Sequence, residues 1–388
     1  MQPRTYYTLA LALITFYLLF WFWRSRQESP PERLTDRQHT DVAAMDVAAT
    51  SEFGRRSDRG NLLGIQPWME PGDYADRERF GRKMSAYFNA ARQKGYIVPN
   101  RTVVVLPEYL GTWLVTLGEK PAVYGAKTVQ DGLQAMVMNN PLRFARAYRN
   151  SPDTIADRTR YAVFAMKAQE MADVYTRTFL VLAATYETTI VAGSILLPNP
   201  IVRHDSIITQ PGPLYNVTAV FRPDGTVEPQ LVRKVYPIHD ERPFVCGANA
   251  ADVPVFDTPV GRLGVLICAD SWNSPVYQTL RRKGATLLAV PSYSAGDSVW
   301  QTRWKGYSGT PTPPDARADV GRLTEGQAWL AYAMGGRAKR EAGLTKGMNV
   351  FLRGKLWDLG SDGTTVVLND STTVTRPVAG ATLTCLWL

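Results

Sequence analysis

Residues Gly261–Trp272 read GRLGVLICADSW. Leu263, Val265, Leu266 and Ile267 make this the kind of short apolar, partly β-branched run that fills a buried strand. Cys268 stands where the run stops, ahead of Ala269, Asp270, Ser271 and Trp272. A strand-to-helix turn at that point exposes the sulfur and aims backbone N–H groups at a reacting carbonyl. A free cysteine is more often a small buried hydrophobe, so this stretch alone fixes a strand and leaves the thiol's role open.

Working outward, the same alternation of strand and helix runs through the chain. LLGIQP (62–67), TVVVLP (102–107), TIVAGSILLP (189–198), TLLAVPS (286–292), GMNVFLRG (347–354) and LWDLGSDGTTVVL (356–368) read as sheet segments, and TFLVLAA (178–184) as another strand. Phe80, Met84, Tyr87, Phe88 and Ala91 recur at helical spacing, which predicts a helix over Asp76–Lys94. Further helices are expected at Leu133–Arg149, Tyr161–Tyr175, near Pro275–Lys283, and at about Glu325–Lys339. Residues 214–237 read as a hairpin turning at Pro223-Asp224-Gly225-Thr226. Alternating β and α elements with buried strands define an α/β domain. The pattern alone does not separate a doubly wound sheet from other α/β layouts.

Two more strand ends carry reactive side chains. Glu108 follows VVVLP, where Pro107 ends the strand and fixes the backbone. A carboxylate there can accept a thiol proton and pass it to a departing amine, provided its pKa is tuned by burial. Lys234 lies in QLVRKVYPIHDER (230–242), on a strand otherwise suited to burial, where an unpaired ammonium is costly. Arg233 is the competing cation, Glu119 the competing carboxylate. His239 has no neighbours that make it a base, and Ser292 and Ser294 lack a GxSxG elbow.

Taken in order, the segments around Glu108, Lys234 and Cys268 resemble the carbon–nitrogen hydrolase (nitrilase) superfamily. The resemblance runs from about Leu62 to Val367. It implies a four-layer α-β-β-α sandwich, commonly paired into dimers through helical faces. It also implies roles: Cys268 as nucleophile, Glu108 as acid and base, Lys234 as the cation that holds the oxyanion. Glu241, in the Lys-x-x-Pro…Glu-Arg spacing, is implied to position Lys234 and substrate, with Ala269 and Tyr293 also expected to position substrate. Many relatives have an aromatic residue directly after the nucleophile, where this chain has Ala269. Residues 117–157 and 308–323 read as insertions.

The implied activity is hydrolysis of a non-peptide amide or nitrile through a cysteine thioester. It needs no cofactor and no metal. Two other readings stay open: an N-acyltransferase like the apolipoprotein N-acyltransferases, and a catalytically silent binding protein. Three cysteines (Cys246, Cys268, Cys385) among 388 residues describe neither a disulfide framework nor a zinc site. A net charge of +9 comes without a nucleic-acid motif. The stretch Tyr6–Trp23 is uncharged, free of Gly and Pro, and bounded by aromatic rings. It is about long enough to cross a bilayer as a helix. The expected organisation is therefore a membrane anchor over 1–26, a polar linker over 27–61 and a catalytic domain over 62–388. Localisation is expected at a membrane, through a single pass.

Overall fold

The computed structural model describes residues 47–388. In chain order, the strands of its two large sheets begin with β1 (Val47–Phe53), β2 (Asn61–Gln66), β3 (Thr102–Val105), β4 (Thr189–Pro198), β5 (Leu214–Phe221) and β6 (Val232–Arg233). They continue with β7 (Val255–Thr258), β8 (Gly261–Val265), β9 (Leu287–Ser292), β10 (Lys346–Phe351), β11 (Val366–Asn369), β12 (Ser371–Val374) and β13 (Ala381–Trp387). The first sheet has seven strands in the order β1-β13-β2-β3-β4-β5-β6, and the second has six, running from β7 to β12 in sequence. Both sheets are mixed. β2, β3 and β4 run parallel, as do β8, β9 and β10, with antiparallel strands outside them.

Side chains alternate between the two faces of a strand, and that alternation builds the layers. Leu62, Val103, Val105 and Val191 share a core with Val265, Leu288, Met348 and Val350 of the second sheet. Their neighbours Leu63, Val104 and Ile190 pack instead with Phe80, Met84, Phe88 and Phe179. Those last residues belong to α1 (Arg77–Gln93) and α5 (Ala168–Tyr186). Between them come α2 (Val129–Asn139), α3 (Pro141–Arg149) and α4 (Arg158–Ala165). On the second sheet α6 (Ser274–Arg282), α7 (Glu325–Tyr332) and α8 (Met334–Ala342) contribute Val276, Leu280, Ala328 and Ala338 to the core. The layers are helix, sheet, sheet, helix, as the resemblance implied.

Several expectations are corrected. TFLVLAA is the second half of α5, not a strand. A short apolar run is ambiguous between the two, and here Met171, Tyr175, Phe179, Leu182 and Tyr186 are buried at helical spacing. The helix expected over 133–149 is two helices, because Pro141 starts a new one after a non-helical Asn140. The last expected helix also divides, at Ala333, whose ψ of −147° leaves the helical region. Within 356–368 only the end is a sheet strand, β11. Val47–Phe53, within the stretch expected as linker, forms the edge strand β1 and pairs in parallel with β13.

Membrane localisation is corrected as well. Among the described residues no helix is long and apolar enough to cross a membrane. The longest, α5, carries Glu170, Asp173 and Arg177 and lays its apolar side on the first sheet. The expected anchor at Tyr6–Trp23 lies outside the described residues.

Candidate active site

Three strand ends meet at one seam between the sheets. β3 delivers Glu108 through Leu106 and Pro107, and a bulge in the adjoining β4, between Val191 and Ser194, receives it. Gly193 in that bulge has φ +72°, and a Cβ there would stand 2.2 Å from the Pro107 carbonyl oxygen. Only glycine allows so close an approach. Ser194 completes the grip: its N–H donates to the Pro107 carbonyl at 3.2 Å, and its hydroxyl accepts from the Tyr109 N–H at 2.8 Å. Tyr109 itself sits in the left-handed region, at φ +61°. Glu108 is thereby turned into the interior and buried.

Lys234 follows β6 and is also buried. Its backbone N–H donates to the Asn216 carbonyl at 2.8 Å, and its carbonyl accepts from Ala248 at 3.0 Å. Its ammonium donates to Glu108 Oε1 at 2.8 Å and to Glu241 Oε2 at 2.6 Å. Asn216 ties the two carboxylates together, donating to Glu108 Oε1 at 2.9 Å and to Glu241 Oε1 at 3.0 Å. Glu241 also accepts from the Tyr109 hydroxyl, and from the Ile238 N–H at 2.9 Å. The competing residues lie elsewhere. Arg233 stacks 4.4 Å from the Tyr215 ring, and Glu119 forms a buried pair with Lys167 at 3.1 Å.

Cys268 opens a tight turn, Cys268–Trp272, just beyond β8. Its φ of +49° is unusual for a residue with a side chain. Such strain concentrates at functional sites. The sulfur lies 3.7 Å from the Tyr293 carbonyl oxygen, and Glu108 and Lys234 are the charged groups that act on it. Ala269 follows as the second residue of the turn, where a backbone N–H has no partner within the turn itself. Tyr293 packs edge-on against Tyr109, with ring centroids 5.9 Å apart, and donates to the Gly360 carbonyl at 2.6 Å. All six residues expected at the site gather around this seam. His239 is exposed.

Charge is distributed unequally in the cluster. Burial raises Glu108 above its ordinary range against the pull of Lys234, while Glu241 adds repulsion. Burial acts on Glu241 in the same sense, but Lys234, Tyr109 and the Ile238 N–H overcome it and hold this carboxylate below its ordinary range. Burial and the neighbouring Glu108 push the Cys268 thiol well up, partly opposed by Lys234. Burial disfavours the Lys234 ammonium, yet the two glutamates hold it well above its ordinary value. These shifts favour a thiol on Cys268, an ammonium on Lys234 and an anionic Glu241, with Glu108 the carboxylate held above its ordinary range.

Two contacts come from segment 308–323. The Ser308 hydroxyl accepts from the His239 N–H at 3.2 Å, and the Gly309 carbonyl accepts from Arg242 Nη1 at 3.2 Å. Gly309 has φ +84°, and a Cβ there would stand 2.3 Å from the Pro237 carbonyl oxygen. Ser308 and Gly309 are seated on the turn that carries Glu241. Sequence reasoning missed Asn216, Tyr109, Ser194 and Asp270. A buried amide in the middle of the apolar stretch LYNVTAVF was the one available signal for Asn216.

Comparison with known proteins adds the following. A sequence model described as carbon-nitrogen hydrolase matches residues 64–307. The probable hydrolase YhcX of Bacillus subtilis is 31% identical over 123 residues, or 31% of this chain and 21% of that protein. Nitrilase 2 of Arabidopsis thaliana is 34% identical over 90 residues, 23% of this chain and 26% of the relative. The deaminated glutathione amidase of Dictyostelium discoideum is 42% identical over 65 residues, 16% of this chain and 22% of the relative. The chain thus spans about a fifth to a quarter of the length of these relatives. Among solved structures, a double mutant of the amidase from Nesterenkonia sp. AN1 in complex with acrylamide gives a TM-score of 0.52 at 14% identity. The match covers 86% of this chain and 93% of that one, and the likeness is one of fold.

Proposed function

Because the chain belongs to the carbon–nitrogen hydrolase family, we propose that it hydrolyses a non-peptide amide or nitrile through a thioester on Cys268, with Glu108 and Lys234 as partners. The observation that carries this reading is the buried Lys234 ammonium, shared by two carboxylates, one of which, Glu108, acts electrostatically on the cysteine sulfur. An ion triad enclosed in this way is a weak device for stability and a strong one for catalysis in a site shielded from water.

For an amide the cycle has two halves. Glu108 takes the thiol proton as sulfur attacks the carbonyl carbon, and the C=O electron pair moves onto oxygen. Lys234 and the Ala269 N–H stabilise that oxyanion, a term on the order of 3 kcal/mol for one preorganised donor. The tetrahedral intermediate collapses, the C–N bond breaks, and Glu108 returns the proton to the departing amine. Water then gives a proton to Glu108 and attacks the thioester. The acid leaves, and the proton passes back to sulfur. The upward shifts of Cys268 and Glu108 fit this scheme: the thiol waits protonated, and the base is strong enough to take its proton during attack.

An amide and nitrile screen with intact-mass detection tests the reading. We expect an acyl adduct on the wild-type protein. Cys268→Ala should lose both the adduct and turnover, by roughly four orders of magnitude or more, with an unchanged circular dichroism spectrum. Turnover that survives the substitution would remove Cys268 from the mechanism.

A further inference from the structure

Asp270 lies two residues beyond the sulfur, is buried, and takes no part in the cycle above. Its partners are three main-chain N–H groups. Oδ1 accepts from Val235 at 2.9 Å and from Tyr236 at 2.8 Å, and Oδ2 accepts from Ile267 at 3.2 Å. Val235 and Tyr236 directly follow Lys234, just past β6 of the first sheet. Ile267 directly precedes Cys268, just past β8 of the second. One carboxylate therefore spans the seam, holding the backbone beside the ammonium with one oxygen and the backbone beside the thiol with the other.

We propose that Asp270 is a positioning residue that joins the cysteine turn to the lysine strand and thereby sets the separation of Cys268 from Lys234. The proposal rests on the catalytic reading given above. Lys234 comes from one sheet and Cys268 from the other, and apolar packing between sheets leaves room for small sliding adjustments. A carboxylate bonded to both backbones removes that freedom. It also supports the left-handed Cys268, since the Ile267 N–H is fixed immediately ahead of the strained residue. An amide in its place keeps one accepting oxygen for Val235 and Tyr236 but turns an NH2 group towards the Ile267 N–H. The buried charge is also a burden on the fold: burial pushes Asp270 up to about 7. A group that opposes stability while bridging two reactive residues is what a trade of stability for activity produces.

The test uses p-nitrophenyl acetate as acyl donor and iodoacetamide as thiol probe, on the wild type and on Asp270→Asn and Asp270→Leu. Acylation of Cys268 is followed by intact mass and expressed per folded molecule, so a poorly folding variant still reports. We expect acylation to slow about tenfold or more in Asp270→Asn and further in Asp270→Leu, the scale of loss that follows small misplacements. We also expect the pH midpoint of Cys268 labelling to rise by about half a unit or more, because a displaced ammonium supports the thiolate less. A merely structural residue would lower the melting temperature and leave that midpoint in place. Acylation within about twofold of wild type, or an unmoved midpoint, overturns the proposal. Cys268→Ala runs alongside: an adduct persisting there sinks the catalytic reading, whereas normal acylation by Asp270→Asn with none by Cys268→Ala sinks only this inference.

Discussion

Lys234 is the residue on which the charge balance of the site turns. Two buried carboxylates, Glu108 and Glu241, lie against its ammonium. Removing one member of such a set leaves uncompensated charge in the interior, at a cost of about 3–5 kcal/mol. Lys234→Met should therefore be destabilised by that order at neutral pH. The sign of the pH dependence follows from the carboxylates that remain. Without the ammonium, burial raises their folded pKa values above those of the unfolded chain. The unfolded chain then binds fewer protons, and stability falls as pH rises through that interval. Urea melts should find the variant closer to wild type at pH 5 than at pH 8, and a constant difference would argue against it. At this scale the sequence was informative about Glu108, Lys234 and Cys268, because each stands at the end of an apolar run, which is a local cue. Asp270 and Asn216 carry no such cue. Asp270 finds Val235 and Tyr236 across separations of 35 and 34 residues, and Asn216 reaches Glu108 across 108.

Among the elements, the bulge in β4 does the most to aim a side chain. It is the seat into which Pro107 and Glu108 turn, and it closes only because Gly193 brings its backbone against the Pro107 carbonyl. Gly193→Ala places a Cβ in that contact at a left-handed φ, so strain of about 1–3 kcal/mol is expected. The displaced Glu108 should reduce kcat more than it changes KM, which steady-state kinetics will read directly. Wild-type kcat in a normally stable Gly193→Ala protein would show that the bulge does not aim Glu108. The strands that frame the site were legible in sequence, since buried parallel strands read as short β-branched runs. Helix α5 was not: Phe179–Ala184 is apolar without a break, so the period was hidden within TFLVLAA. Strand β1 was obscured for the opposite reason. An edge strand with alternate residues exposed looks as polar as a linker.

For the molecule as a whole, Asp270 couples stability to pH. Its folded value of about 7 exceeds the ordinary aspartate value of 3.8. Between those two values the folded chain holds a proton that the unfolded chain has lost, so this residue's contribution weakens the fold as pH climbs from 4 to 7. The full effect is at most about 4 kcal/mol. Asp270→Asn should flatten that part of the stability profile, which urea melts between pH 4 and pH 7 will read. A profile with unaltered slope would show that burial does not shift Asp270. The resemblance to a known superfamily foretold the layered architecture; the alternation of strands and helices gave only its class.

Strand β13 has a consequence for biosynthesis. It lies between β1 and β2, with Asn61 meeting the Cys385 sulfur across a separation of 324 positions. A ribosome-bound chain lacking residues 381–387 has both flanking strands made and nothing to join them. Pairings this remote in sequence form late and slowly, and until they form the open edges invite association with other chains. Newly made protein should thus depend on assistance until β13 has emerged, well after the segments bearing Glu108, Lys234 and Cys268 have left the exit tunnel.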